Sequence, residues 1–215
     1  MNNTTGDTTM VEPVNALNGT IQSAITFDSG VDGNKANFPG GANNAITVLS
    51  NSLFNFSTAL ADKVFSISFF LSIGVTTTQW VVNKRIASND VWQIVIVAGK
   101  IQINIFSGGS SSIYISAEID EVLTINTQYH VTFTYDSLGT TGSFKTYLNG
   151  ISKTYTATTA GSYVRMKYDA NSPMYIGRPA FADALRLNGW IDEMYFFDEE
   201  LSQAQVTALQ TTYLP

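Results

Sequence analysis

Apolar and polar positions alternate along this chain with the period of short strands. Over residues 64–73, Phe65, Ile67, Phe69 and Leu71 alternate with Ser66, Ser68, Phe70 and Ser72. Period two puts one set on a core and the other on the opposite face. The pattern returns at 91–97 (Trp92, Ile94, Ile96), 101–106 (Ile101, Ile103, Ile105), 113–119 (Ile113, Ile115, Ala117, Ile119) and 129–135 (Tyr129, Val131, Phe133, Tyr135). Shorter β runs lie at 24–27, 45–49, 80–83, 144–148, 151–156 and 174–176. Breaks fall where turn chemistry predicts them, at Asp28-Ser29-Gly30, Asp32-Gly33-Asn34 and Pro39-Gly40-Gly41. Ala98-Gly99-Lys100 and Asn149-Gly150 each sit between two strand runs, which predicts tight hairpins.

The last strand, at 190–197, is bulky throughout. Strict alternation puts Trp190, Asp192, Met194 and Phe196 on one face and Ile191, Glu193, Tyr195 and Phe197 on the other. Both faces are mostly apolar, so the strand is expected inside a sheet, with Asp192 on a face that otherwise reads as core. A buried carboxylate must be paired, hydrogen-bonded or metal-bound. Ser202 and Gln205 form a capping box, and Val206, Leu209 and Tyr213 follow at helical spacing. The pattern therefore predicts an all-β fold, a two-sheet antiparallel jelly-roll β-sandwich with a short C-terminal helix. Residues 21–215 form one domain. Residues 1–20 are a polar N-terminal arm, held by the domain itself or by a partner.

Composition narrows the function classes. The chain has 215 residues, 44% of them hydrophobic, enough to bury a full core without staples. It has no cysteine, which excludes disulfides and a thiolate zinc site. Its net charge is -6, and only 13% of residues are charged. Lys and Arg are scattered, so no basic stripe for nucleic acid and no polybasic membrane anchor is expected. No apolar run nears the ~18 residues of a membrane span, so no membrane insertion is expected either. The N-terminal residues have no apolar h-region, so no signal peptide is visible. A surface of Thr, Ser, Asn and Gln suits neutral polar ligands.

An ordered set of short motifs adds a resemblance. Phe65-Ser66-Ile67-Ser68-Phe69, Asn83-Lys84, Trp92-Gln93-Ile94, Tyr129 to Asp136, Tyr147-Leu148-Asn149-Gly150, Tyr175-Ile176-Gly177 and Leu187 to Glu193 follow in order. Leu201-Ser202 and a short helix complete the series. Over residues 20–211 this resembles the laminin-G-like, concanavalin A-like lectin and glucanase superfamily. Glycan-binding modules, adhesion domains, polysaccharide hydrolases and lyases and virion surface domains all use that fold, so fold does not settle function.

The resemblance also says where to look for chemistry. Glucanases of this type carry Glu-x-Asp-x-Glu or Glu-x-Asp-x-x-Glu on one strand, and retaining hydrolysis needs two carboxyls roughly 5–5.5 Å apart. Here Glu118-Ile119-Asp120-Glu121 puts Glu118 and Asp120 on one face, but the second required Glu is missing. His130 is the only histidine and reads as a surface residue beside Thr132. A lyase-type site would need Tyr114, Tyr147 and His130 on one face. The resemblance implies a structural calcium at Asp192, with Asp28 or Asp32 as a second carboxylate. Relatives often carry a carboxylate where this chain has Pro39, so the residues favour Asp192 being a lock that accepts backbone N–H bonds.

For sugars, aromatic faces and polar side chains are the candidates. Two loops carry them. Tyr163, Arg165, Tyr168, Asp169 and Asn171 lie on one; Arg178, Phe181 and Arg186 lie on the other. Both flank the strand at 174–176 and are expected to converge at one end of the sandwich. A second, wider polar-aromatic face is expected from Gln102, Asn104, Tyr114, Ser116, His130, Thr132, Lys145 and Tyr147.

The expected function is a non-catalytic glycan-binding or adhesion module whose partner is a cell-surface or environmental polysaccharide. Its expected setting is extracellular or a virion surface, as phage head decoration or fibre, with protein neighbours in a larger assembly. Two alternatives stay open: a purely structural capsid-decoration protein, and a polysaccharide hydrolase or lyase.

Overall fold

A computed structural model describes residues 3–10, 18–42, 44–86, 89–108, 111–179 and 184–213. Among these the chain forms β1 (Thr9–Met10), β2 (Gly19–Ile21), β3 (Thr26–Ser29), β4 (Asn34–Pro39), β5 (Ile46–Val48), β6 (Phe65–Ile73), β7 (Gln79–Ile86) and β8 (Asn89–Val97). Then come β9 (Lys100–Phe106), β10 (Tyr114–Ile119), β11 (Tyr129–Tyr135), β12 (Phe144–Leu148), β13 (Ile151–Lys153), β14 (Tyr155–Ala160), β15 (Met174–Ile176) and β16 (Asn188–Phe197), and the helix α1 (Gln203–Tyr213). One sheet has the order β1-β2-β5-β15-β7-β8-β9-β10-β14 and the other β13-β12-β11-β6-β16-β4-β3. All paired strands are antiparallel. The expected all-β jelly-roll sandwich with a C-terminal helix is what the chain adopts.

The apolar sets predicted by alternation meet between the sheets. Phe65, Ile67, Phe69 and Leu71 of β6 and Val131, Phe133 and Tyr135 of β11 face Trp92, Ile94 and Ile96 of β8 and Ile101, Ile103 and Ile105 of β9. Both expected hairpins form. Ala98 and Gly99 have φ 50° and 79°, and Asn149 and Gly150 have φ 51° and 73°, as the two-residue mirror-image turn requires.

Strict alternation fails in β16. Its register against β6 shifts between Asp192 and Tyr195, and Glu193 takes φ 45°. A bulge adds one residue and flips the period beyond it. Trp190, Asp192, Tyr195 and Phe197 pair with Ser72, Phe70, Ser68 and Ser66 on the outer face. Phe196 and Met194 instead pack on the core. The face set expected at the sequence level holds only as far as Asp192.

Asp192 is buried none the less. Its Oδ2 accepts from Val31 N at 2.6 Å and its Oδ1 from Glu193 N at 3.0 Å. The β3–β4 turn lies directly against it: a methyl group on Gly30 would sit 2.1 Å from Oδ2. Burial raises the Asp192 carboxyl above its ordinary range, and the Val31 N–H opposes that rise.

The helix packs Val206 and Leu209 on Tyr147, Phe197 and Leu201, and the capping box forms, with Ser202 N donating to Gln205 Oε1 at 2.8 Å. Of the arm, residues 3–10 dock on the domain. Asn34 Nδ2 donates to Asn3 O, Thr5 Oγ1 exchanges bonds with Phe27, and β1 extends the nine-stranded sheet through β2. No helix among the described residues is long and apolar enough to cross a membrane.

Candidate functional site

The two loops expected to carry recognition are held to the scaffold differently. Asp62 is the hub for the first. Its carboxylate accepts from Tyr163 OH at 2.8 Å, Tyr135 OH at 2.5 Å and Met166 N at 2.5 Å. Burial is the main cause that raises both phenols well above the ordinary tyrosine range. Tyr163 is therefore spent on structure. Arg165 and Tyr168 are exposed. Asp169 shapes its own turn, accepting from Asn171 N at 2.8 Å and Ser172 N at 2.9 Å. Lys84, fully buried, donates to Ser172 O at 3.0 Å. Burial lowers its amine to about 8, opposed by the Asp169 charge.

Of the second loop, the described end at Arg178 lies on the outer side of the nine-stranded sheet. Arg178 stacks over the Tyr175 ring at 5.1 Å, and its carbonyl accepts from Asn83 Nδ2 at 2.6 Å. Arg186 is buried and bridges Trp80. It also lines an open depression of about 700 Å³ with Val75, Thr77, Leu185 and Asn188. Phe181 lies outside the described residues. The structure thus brings Arg178 and Arg186 to the outer face of β15 and β7, and gathers Tyr163 around Asp62.

The wide polar-aromatic face is two faces. Gln102, Asn104, Tyr114 and Ser116 stand on the nine-stranded sheet, while His130, Thr132, Lys145 and Tyr147 stand on the seven-stranded one. On the first, the ladder aligns side chains in rows across the strands. One row runs Tyr175, Asn83, Gln93, Asn104, Ser116, Thr158. A neighbouring row runs Trp80, Val95, Gln102, Glu118, Thr156, and on the other side Phe106 pairs with Tyr114. Phe106 and Tyr114 meet at 5.6 Å with their planes 55° apart. Trp80, Gln93, Gln102, Asn104, Phe106 and Tyr114 line a groove of about 250 Å³ together with Arg85, Asp90 and Ser111.

Three consecutive amides of the polar row carry a buried atom without a hydrogen-bond partner: Asn83 Oδ1, Gln93 Oε1 and Asn104 Nδ2. Such atoms cost roughly 1–3 kcal/mol each when left unpaired. The charges nearby are matched. Arg85 pairs with Asp90 at 2.7 Å, and Lys100 pairs with Glu118 at 3.2 Å. Burial raises the Asp90 carboxyl, while Ser111 and Arg85 pull it down.

As a strand tryptophan, Trp80 is expected in the core or at the border of a site. A register shift between Trp80 and Val82 turns its ring outward. The legible signal for this groove was the complement of the core pattern: Gln93, Gln102 and Asn104 are the residues that Ile94, Ile101, Ile103 and Ile105 leave facing out.

A family model for the concanavalin A-like lectin/glucanases superfamily matches residues 39–207. The chain belongs to that superfamily. No curated protein matches it in sequence. Several solved structures are similar. The binding domain of Paraclostridial Mosquitocidal Protein 1 has a TM-score of 0.72 and 19% identity, covering 95% of this chain and 51% of that one. The botulinum neurotoxin serotype D ligand binding domain in complex with N-acetylneuraminic acid has a TM-score of 0.66 and 20% identity, covering 93% and 47%. Domain 4 of AbnA, a GH43 extracellular arabinanase from Geobacillus stearothermophilus, in complex with arabinotriose, has a TM-score of 0.62 and 20% identity, covering 86% and 81%. At these identities the likeness is one of fold. The chain spans about half the length of the two toxin domains.

The remaining candidate chemistry of this concanavalin A-like chain is dispersed. Glu118 pairs with Lys100, and Asp120 accepts from Thr156 Oγ1 at 2.8 Å. Tyr114 lies on one sheet, and Tyr147 and His130 on the other, so the lyase-type grouping is not assembled. His130 is not at the surface as expected: it is 2% exposed, with Nε2 2.7 Å from Ser68 Oγ and its ring 4.7 Å from Phe70. The neighbouring row explains why, since there the small Ser68 and Thr132 lie flanked by Tyr195 and Tyr147, while His130 itself pairs with Phe70. Burial lowers its imidazole to about 4.

For calcium, Asp192 and Asp28 are engaged apart. Backbone N–H groups take both Asp192 oxygens, and Asp28 faces Lys35 Nζ at 3.1 Å. The Lys35 hydrogen bond holds the exposed Asp28 carboxyl below its ordinary range. No group of three or more acidic or histidine side chains clusters among the described residues. As arranged, this pair does not fit the six to eight oxygens that calcium takes.

Proposed function

We propose that this chain is a non-catalytic glycan-binding module and that it holds sugar in the outer groove of the nine-stranded sheet. The observation that carries the reading is the pair of unpartnered buried amide atoms, Gln93 Oε1 and Asn104 Nδ2, between aromatic walls. Aromatic rings cover the C–H surfaces of a sugar, and amides meet its hydroxyls. Trp80, Phe106 and Tyr114 supply the rings; Gln93, Gln102 and Asn104 supply the amides. Arg178 and Arg186 serve as flanking contacts through Tyr175 and Trp80. Tyr168, Arg165 and Asn171 belong to a separate loop surface and are secondary candidates. Sugar ligands in two structures of this fold, N-acetylneuraminic acid and arabinotriose, support the reading. A glycan array followed by calorimetry tests it. Replacing Trp80 with Ala should weaken binding about tenfold, the equivalent of ~1.4 kcal/mol. Unchanged affinity would remove the groove from the account.

The setting we propose is extracellular or virion display, with a cell-surface or environmental polysaccharide as ligand. In this proposal the polar arm, which docks along the sheet edge, lies where a neighbouring subunit could add to that edge. Immunogold labelling of the source particles tests this, and label confined to the cell interior would overturn it.

A further inference from the structure

We infer that the free edge of the nine-stranded sheet, strand β14, is an interaction surface whose partner is β14 of a second copy of this chain. The inference goes beyond the glycan reading and does not depend on it.

The alternation of ladder hydrogen bonds fixes what that edge offers. In an antiparallel sheet, successive residues of a strand bond to neighbours on opposite sides. Ser107 N donates to Ile113 O, so the odd-numbered residues of β10 bond to β9. Asp120 N donates to Thr154 O, so the even-numbered residues of β10 bond to β14. In β14 this commits Thr156, Thr158 and Ala160 to β10. Tyr155, Ala157 and Thr159 send N–H and C=O out of the sheet, and among the described residues none bonds to them. Thr156, Ala157, Thr158 and Thr159 are all exposed. Ala157 pairs with the fully buried Ala117. Its side chain thus lies on the core side, uncovered because no described strand lies beyond it.

The other sheet edges are short or guarded. On β3, Thr5 Oγ1 accepts from Phe27 N and donates to Phe27 O, and Asp28 pairs with Lys35. β1 is two residues long. β13 has three residues and carries Lys153, and Gln203 and Thr207 of α1 donate to Gly150 O at its start. β14 has six residues, Tyr155 to Ala160, without a charge or a proline, and its register against β10 is unbroken. A long, unbulged, uncharged edge is a template for a further strand.

The edge is complementary to itself. Antiparallel pairing about a twofold at Ala157 sets Ala157 opposite Ala157 of the second copy, and Tyr155 opposite Thr159. Each of these pairs exchanges both its bonds, so every outward group finds a partner. On the outer face Thr156 meets Thr158, a favourable cross-strand pair. No like charges oppose each other, because β14 has none. The flanking Lys153 and Glu121 pair within one copy at 2.6 Å. Exposed apolar side chains stand beyond both ends of the strand, Ile151 at 63% and Val164 at 73% exposure. The antiparallel direction brings the Ile151 end of one copy to the Val164 end of the other.

Sedimentation equilibrium of the whole chain from about 1 to 500 µM, a span that brackets weak association, tests this. The mass should rise from 23.4 kDa toward twice that value, with a micromolar Kd. Ala157→Pro removes an N–H that no bond to β10 uses, a place where a strand tolerates proline. It should weaken association at least about tenfold and leave the circular dichroism of the monomer unchanged. Thr158→Lys, on the exposed face, should weaken association likewise. The register has its own readout, because the chain has no cysteine. On mild oxidation Ala157→Cys should crosslink two copies, since the paired Cα atoms lie ~5.5 Å apart. Thr159→Cys should not, since four residues of offset separate it from its counterpart by roughly 13 Å. A monomer at every concentration would leave the edge to a strand of another protein and overturn the inference. A dimer that Ala157→Pro and Thr158→Lys both leave intact, or crosslinking at 159 equal to that at 157, overturns it too. The glycan array decides the glycan reading separately.

Discussion

Protonating His130 should cost this fold stability in a defined pH window. The imidazole is almost fully buried beside Phe70, bonds to Ser68 through Nε2, and has no partner for Nδ1. Burial disfavours its charged form and lowers it to about 4, against ~6.5 in the unfolded chain. The folded value is the lower one, so the unfolded state takes up the proton first as pH falls. The stability from neutral His130 is then complete above pH ~6.5, declines between ~6.5 and ~4, and is lost below. A gap of ~2.5 units at 1.36 kcal/mol each sets the loss at about 3 kcal/mol. Urea unfolding of the native chain and of His130→Gln, from pH 4 to pH 8, isolates the effect from the carboxylates that both chains share. The difference between the two curves should shrink by about 3 kcal/mol as pH falls to 4. As the only histidine, its ring signals also titrate unambiguously by NMR. A native-state midpoint near 6.5, or a difference curve flat with pH, would refute the argument.

Other outcomes follow from single contacts. Gly30→Ala drives a methyl group into Asp192 Oδ2 and to 2.7 Å from Lys35 N, and should lower unfolding free energy by about 1–3 kcal/mol, read by urea melts. Asp62→Ala strands Tyr135 OH, Tyr163 OH and Met166 N; a loss of at least about 3 kcal/mol and faster proteolysis after residue 160 are expected. Excess chelator should leave the melting temperature unchanged, because Asp192 already accepts from two backbone N–H groups; a clear drop would support calcium as a ligand.

Most of the fold was legible because period-two alternation fixes faces and Gly-containing pairs fix turns. Phe65 to Leu71, Ile101 to Ile105 and Asn149-Gly150 all behave as their pattern dictates. What failed was local register. The bulges at Glu193 and after Trp80 each insert one residue, and nothing in the neighbouring residue types announces them. Trp80 therefore lies at the groove, and Trp190 and Asp192 part from the core face that Met194 and Phe196 keep. His130 was misread for a different reason. Its strand neighbours are small hydroxyl residues, which read as a wet face, yet rings on either side cover them. The recognition loops were located correctly as loops, but which side chains hydrogen-bond inward is set by long-range partners. Asp62 lies about a hundred positions from Tyr163, and no local pattern links them.

The central claim is that sugar sits on the nine-stranded sheet between Trp80 and Tyr114. Two-dimensional NMR of the whole chain, titrated with the tightest oligosaccharide from the array, tests it most directly. The account predicts that the Trp80 indole and the Gln93, Gln102 and Asn104 side-chain amides shift together and saturate with one affinity. Shifts gathered instead on residues 163–171 or on the seven-stranded sheet, with those amides unmoved, would contradict it.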